Sequence, residues 1–141
     1  MEFLYVKSEG KFSNIFRPCL PIIFEYKDKP FPVAHALVDT GSDFTILPLE
    51  VAHYLGIELD DSKTLILDGA GGGRFKAMPS QKKVIYKIEH KGYRSIQWQG
   101  TIYFTEAEPI ILLGHHECLE KFDLTFCGPQ KLLQVIPRFK V

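Results

Sequence analysis

ALVDTGSDFTILP, residues Ala36–Pro48, sets two apolar runs on either side of Asp39-Thr40-Gly41-Ser42-Asp43. The flanking residues suit a buried strand, where an ionised carboxylate is costly unless partners satisfy it. Asp39 therefore demands an explanation. Thr40 and Ser42 place hydroxyls beside it, and Gly41 permits a tight turn with close backbone approach. An acid held at a strand end by hydroxyls and backbone N–H groups stays ordered and reachable by a substrate. A plainer reading competes, in which Asp39 bonds its own backbone as an Asx-turn. The tripeptide alone does not separate the two.

Outward from this stretch the chain is a series of short apolar or alternating segments: Phe3–Val6, Leu20–Tyr26, Val33–Val38, Thr64–Leu67, Val84–Ile88, Ile96–Phe104, Ile110–Leu113, Phe122–Phe126 and Leu132–Ile136. They are brief, rich in β-branched and aromatic residues, and bounded by glycine, proline or charge, so an all-β fold is expected. Val84, Tyr86 and Ile88 alternate with Ile85, Lys87 and Glu89; His90-Lys91-Gly92 supplies a turn, and Tyr93 to Phe104 runs back as a long hairpin. Pro48 through Gly56 predicts a short helix, with proline at its start and glycine at its stop. His116 to Phe122 predicts another, with Leu119 and Phe122 three apart on one face. Trp98, within IQWQG, is assigned to packing.

The chain has 141 residues, enough for one domain over residues 1–141 with a core that needs no staples. Lysine plus arginine number 17, as do aspartate plus glutamate, which leaves no basic stripe for a phosphate backbone and argues against nucleic acid as a partner. Cys19, Cys118 and Cys127 are an odd set without close pairing, which fits a reducing compartment. The opening MEFLYVKSEGKF has no apolar run followed by a cleavage site, so a cytoplasmic setting is expected. The longest apolar stretch, Pro109 to Leu113, is far shorter than a membrane span. No membrane association and no cofactor are expected. His115-His116-Glu117-Cys118 offers four competent metal ligands, but adjacent residues rarely converge on one ion, and no metal is assigned there. Gly69 through Arg74 lacks the last glycine of a dinucleotide fingerprint and no Gly-Lys-Ser/Thr follows, which excludes a phosphate loop.

The segment ALVDTGSDFTILP resembles the active-site segment of retropepsin-like aspartic proteases, where apolar residues flank Asp-Thr/Ser-Gly-Ala/Ser. Ile110-Ile111-Leu112-Leu113-Gly114 resembles the second landmark of that family, an apolar run closed by glycine and followed by a short helix. Between the two, LDGAGGGRFKA stands where the family carries its glycine-rich flap. The three elements occur in the required order over about Leu20 to Gln134. The resemblance implies a small closed β-barrel of the pepsin or retropepsin type, with one or two short helices and a flap hairpin.

It also implies peptide hydrolysis by a water activated between two aspartates. The chemistry needs one ionised acid to take a proton from water and one protonated acid to donate to the carbonyl oxygen. One Asp-Thr-Gly is present, so the second acid is expected from a second copy, with the Asp39 pair on the two-fold axis of a homodimer. By motif position, Thr40 would hydrogen-bond across that axis and Gly41 would present its backbone to a peptide or protein substrate. Ser42 would donate to the acid pair, and Asp43 would bind substrate backbone; alternatively these two simply finish a turn. Gly71, Gly72 and Gly73 suit a hairpin tip that closes over substrate, or a plain flexible turn. The chain departs from the retroviral pattern at His115, where an arginine commonly ties the helix to the active-site loop and the partner. The other reading of the whole is a catalytically inactive retropepsin-like module for dimerisation or peptide binding.

Overall fold

A computed structural model describes residues 1–8, 14–69, 71–107 and 111–140. Alternating apolar residues build most of it into sheet, as expected for an all-β chain. The strands are β1 (Glu2–Leu4), β2 (Val6–Lys7), β3 (Phe16–Arg17), β4 (Cys19–Tyr26), β5 (Lys29–Val38), β6 (Ile46–Pro48) and β7 (Leu65–Asp68). They continue with β8 (Arg74–Pro79), β9 (Val84–Ile88), β10 (Ile96–Gly100), β11 (Tyr103–Thr105), β12 (Leu112–Leu113), β13 (Phe122–Cys127) and β14 (Leu132–Pro137). Nine of them form one curled half-barrel sheet in the order β10-β9-β4-β5-β12-β6-β11-β8-β7. β1, β14 and β13 form a second sheet, and β2 pairs with β3. No helix among the described residues is long and apolar enough to cross a membrane.

The short helix α1 (Leu49–Leu55) begins directly after Pro48 and ends at Gly56, whose φ of 71° closes the helix in a left-handed cap. It buries Val51, Ala52 and Leu55. The core is filled by Phe24, Leu47, Tyr86, Phe104 and Leu113, all fully buried. Trp98 packs edge-on against Phe122 and Phe139 and tilted against Tyr86, a packing role as expected.

The 84–104 hairpin forms with Ile88 opposite Ile96 and Gly100 opposite Val84, but its return strand starts later and breaks earlier than expected. Tyr93 lies in the turn, and the chain leaves the strand at Thr101-Ile102. Two distant groups capture the backbone there: Glu117 Oε2 accepts the Thr101 N–H at 2.7 Å, and Ser80 Oγ accepts that of Ile102 at 3.3 Å. After the break, β11 joins other partners, β6 in parallel and β8 antiparallel.

The expected helix over His116 to Phe122 is instead a turn and a single 3-10 turn, Leu119–Lys121, with Phe122 already in β13. Glu117, at φ 57°, cannot continue a right-handed helix. It is held there from several sides: its carbonyl accepts the Trp98 Nε1–H at 2.9 Å, its N–H donates to Glu120 Oε1 at 2.7 Å, and its carboxylate meets Lys83. Burial raises the Glu117 carboxyl, but the Lys83 hydrogen bond, the Thr101 N–H and the charges of Lys83 and His116 outweigh it and hold the group below its ordinary 4.5. A depressed carboxylate stabilises the fold above its unfolded value and loses that contribution as pH falls through the folded one. Glu117→Gln is therefore expected to lower stability at neutral pH by roughly 1 kcal/mol and to flatten its fall with acid, measured by thermal unfolding from pH 7 down to pH 3.

β8 follows β7 as the return arm of the glycine-tipped hairpin that the family resemblance implies, a strand absent from the series of apolar segments, and β5 begins earlier than expected, at Lys29, through Pro30 and Pro32. Lys27 and Asp28, both at positive φ, make a two-residue turn that pairs Tyr26 with Lys29. Pairs then alternate, so Pro30 and Pro32 fall where no N–H toward β4 is needed. Ile110, the start of the expected strand before Gly114, lies outside the described residues.

Candidate active site

Sheet topology carries Asp39 to its place. β5 runs into the Asp39 loop and β6 returns from it, while β12 inserts between them, parallel to β5 and antiparallel to β6. Leu113 lies opposite Val38, so the two landmarks end side by side. Asp39 N–H donates to Leu113 O at 3.0 Å, His115 N–H to Ser42 O at 3.0 Å and His116 N–H to Asp43 O at 2.8 Å. Below them the buried Thr45 hydroxyl accepts the Gly114 N–H at 3.2 Å. Gly114 is obligatory at this crossing, because a Cβ there would stand 2.2 Å from Phe44 O.

Within the loop, Asp39 Oδ1 accepts the Gly41 N–H at 3.0 Å, and Asp39 O accepts the Ser42 N–H at 3.1 Å. This is the Asx-turn of the plainer reading, and it coexists with an accessible acid: Asp39 is half-buried and lines a cleft. One oxygen anchors the side chain and the other carries no hydrogen bond from the described residues. A Cβ on Gly41 would lie 3.3 Å from Asp39 Oδ1, close enough to press on the acid's anchored oxygen.

The Ser42 hydroxyl donates to Phe44 O at 2.7 Å and not to Asp39, so its proton braces the loop instead of reaching the acid. Thr40 and Asp43 are exposed beside Asp39. His115 Nε2 bonds Thr40 O at 2.6 Å, tying the post-Gly114 turn to the Asp-Thr-Gly loop. The neighbouring side chains take separate places: His116 Nε2 lies 3.3 Å from Glu117 Oε1, while Cys118 is buried, its thiol pushed up to about 12 chiefly by burial.

The cleft has a volume of about 660 Å³ and lies between the Asp39 loop and the β7–β8 hairpin. Asp39, Gly41, Ser42 and Asp43 line it on one side, and Ile66, Leu67, Asp68, Gly69 and Phe75 on the other. Phe44, Ile46 and Leu112 complete the wall. Gly71, Gly72 and Gly73 form the hairpin tip but are not among the lining residues; Ala70 lies outside those described. Gly71 and Gly72 adopt φ of 87° and 86°, so the tip uses glycine for conformation and not for tight packing. The apolar walls escape single-residue reading, though Phe44, Ile46 and Leu112 sit inside the two landmark segments.

An aspartyl protease family model matches residues 24–114, which include the Asp39 loop, the hairpin and Gly114. No curated protein matches the chain. Among solved structures, EIAV protease complexed with the inhibitor HBY-793 is similar at 22% identity and a TM-score of 0.46, over 70% of this chain and 82% of that one. With a match spanning most of its length, the chain belongs to the aspartyl protease family.

Proposed function

We propose that the protein is a homodimeric aspartic endopeptidase in which Asp39 from each of two copies activates one water. The observation that carries this reading is the single Asp-Thr-Gly acid, anchored through one oxygen on the wall of a cleft of about 660 Å³. Two carboxylates about 3 Å apart repel by ~5 kcal/mol at an effective dielectric near 20, so the pair retains one proton over a broad pH range. The ionised member takes a proton from water as its oxygen attacks the peptide carbonyl carbon. The protonated member donates to the carbonyl oxygen, giving a neutral tetrahedral diol. Its collapse breaks the C–N bond as a proton passes to the leaving amine.

The exposed Thr40 hydroxyl stands beside Asp39, where a second copy meeting on the axis would find it. Gly41 offers backbone to the substrate, Ser42 braces the loop through Phe44, and Asp43 faces the substrate chain. The Gly71–Gly73 tip closes over the bound peptide. Peptide cleavage between pH 3 and 7, with specific activity rising with protein concentration in step with dimer formation by sedimentation, is the expected result. Full specific activity from a population that sediments as monomer would refute the shared site. A dimer that binds peptides and cleaves none would favour the inactive binding module.

A further inference from the structure

Two carbonyls of the Asp39 loop meet one residue. His115 Nε2 bonds Thr40 O at 2.6 Å, and the His115 backbone N–H donates to Ser42 O at 3.0 Å, so His115 grips the loop on both sides of Gly41. A carbonyl oxygen only accepts, and the ring nitrogen that meets it therefore carries the proton. Among the described residues no other group bonds Thr40 O.

The held carbonyl shares a peptide plane with the donor that anchors the acid. Thr40 C=O and Gly41 N–H point opposite ways from one rigid unit, and that N–H donates to Asp39 Oδ1 at 3.0 Å. A continuous path thus runs from the imidazole through Thr40 O and Gly41 N–H to the carboxylate, with no free rotation inside the peptide. A donor on the oxygen polarises the amide, strengthens its N–H, and restrains rotation of the plane about its flanking dihedrals. Water at the exposed carbonyl would satisfy it without fixing it.

We infer that His115 is a positioning residue for Asp39, acting through the Thr40–Gly41 peptide to set the direction of the anchored carboxylate. The inference rests on the proposed peptide-hydrolysing role and adds to it a residue outside the cleft lining. With Oδ1 fixed, the other carboxylate oxygen keeps one bearing toward the attacking water and toward the acid of the second copy. A misplacement of about 1 Å at a reacting group costs up to about 10²-fold in rate. His116 gives the contrast, because its ring lies 3.3 Å from Glu117 Oε1 and only its backbone N–H reaches the loop.

The test compares His115→Leu, which removes the donor, with His115→Gln, whose amide N–H can take the place of Nε2–H, and with His116→Leu as the control. All are measured at a protein concentration where sedimentation finds the same assembly state. The readouts are kcat and KM on the most rapidly cleaved member of a quenched-peptide library, and the Gly41 amide proton resonance. His115→Leu is expected to lower kcat by about tenfold with KM little changed and to move the Gly41 proton upfield. His115→Gln should restore both at least in part, and His116→Leu should alter neither. In the wild type, ¹⁵N shifts should place the proton of the neutral His115 ring on Nε2. An unmoved Gly41 resonance, an unchanged kcat, a loss that leucine and glutamine share equally, or a proton on Nδ1 overturns the inference. So does a loss of rate that follows only from dissociation. A wild type that cleaves no member of the library contradicts the catalytic reading, and the Gly41 resonance and ring tautomer then decide the link to Asp39 by themselves.

Discussion

Asp39→Asn is expected to lower peptide cleavage by about 10³-fold or more while leaving the fold intact, the two effects separating because of how the side chain is held. Asparagine retains an oxygen in the place of Oδ1, so it still accepts the Gly41 N–H that anchors the loop, and Asp39 N–H still donates to Leu113 O. It loses the ability to take up or release a proton. Both copies of a dimer lose it together, so neither member of the pair can deprotonate water. Cleavage assays beside thermal unfolding decide the matter. Comparable melting with vanished turnover is the expected pair of results, and unchanged turnover removes Asp39 from the chemistry.

Gly114→Ala is expected to cost more than about 3 kcal/mol and to abolish cleavage in whatever fraction folds. The added methyl group would meet Phe44 O at 2.2 Å, its C at 2.4 Å and its N at 2.7 Å. All three are backbone atoms, so no rotamer change relieves the contact. Relief requires either β12 to withdraw from between β5 and β6 or the Asp39 loop to lift. Either movement breaks the bonds from Asp39, His115 and His116 that join the two segments. Gly73→Ala is the matched control, since a Cβ there meets nothing within 4 Å. Urea unfolding should show a large loss for the first and a change within about 0.5 kcal/mol for the second.

The contrast between these glycines shows what the sequence made legible. The Asp39 loop and Gly114 were readable because each combines a sharp polar or glycine break with a strongly apolar strand. The long β9–β10 pair was readable because Val84, Tyr86 and Ile88 bury alternate positions. The break at Thr101-Ile102 was not, since it is made by Glu117 and Ser80 from elsewhere in the chain. Leu119 and Phe122 mimic a helical face, yet the positive φ of Glu117 and the pairing of Phe122 with Pro137 take the segment out of a helix. Pro30 and Pro32 lie before the expected strand Val33–Val38, and only the register with β4 shows where their missing donors fall. At the site, the acid was legible and its surroundings less so. The Ser42 proton goes to Phe44 O because the loop folds over locally, and Leu67 and Phe75, paired across the hairpin, reach the cleft through its facing.

The central claim is that one active site needs an Asp39 from each of two copies, and subunit mixing tests it most directly. Wild type and Asp39→Asn are combined at fixed total concentration, dissociated and allowed to reassort, and cleavage is measured against the wild-type fraction. Random pairing of two copies makes activity follow the square of that fraction, so an equal mixture retains about one quarter of the wild-type rate. A linear decline, with an equal mixture retaining about half, would mean that each copy acts alone and would contradict the shared pair.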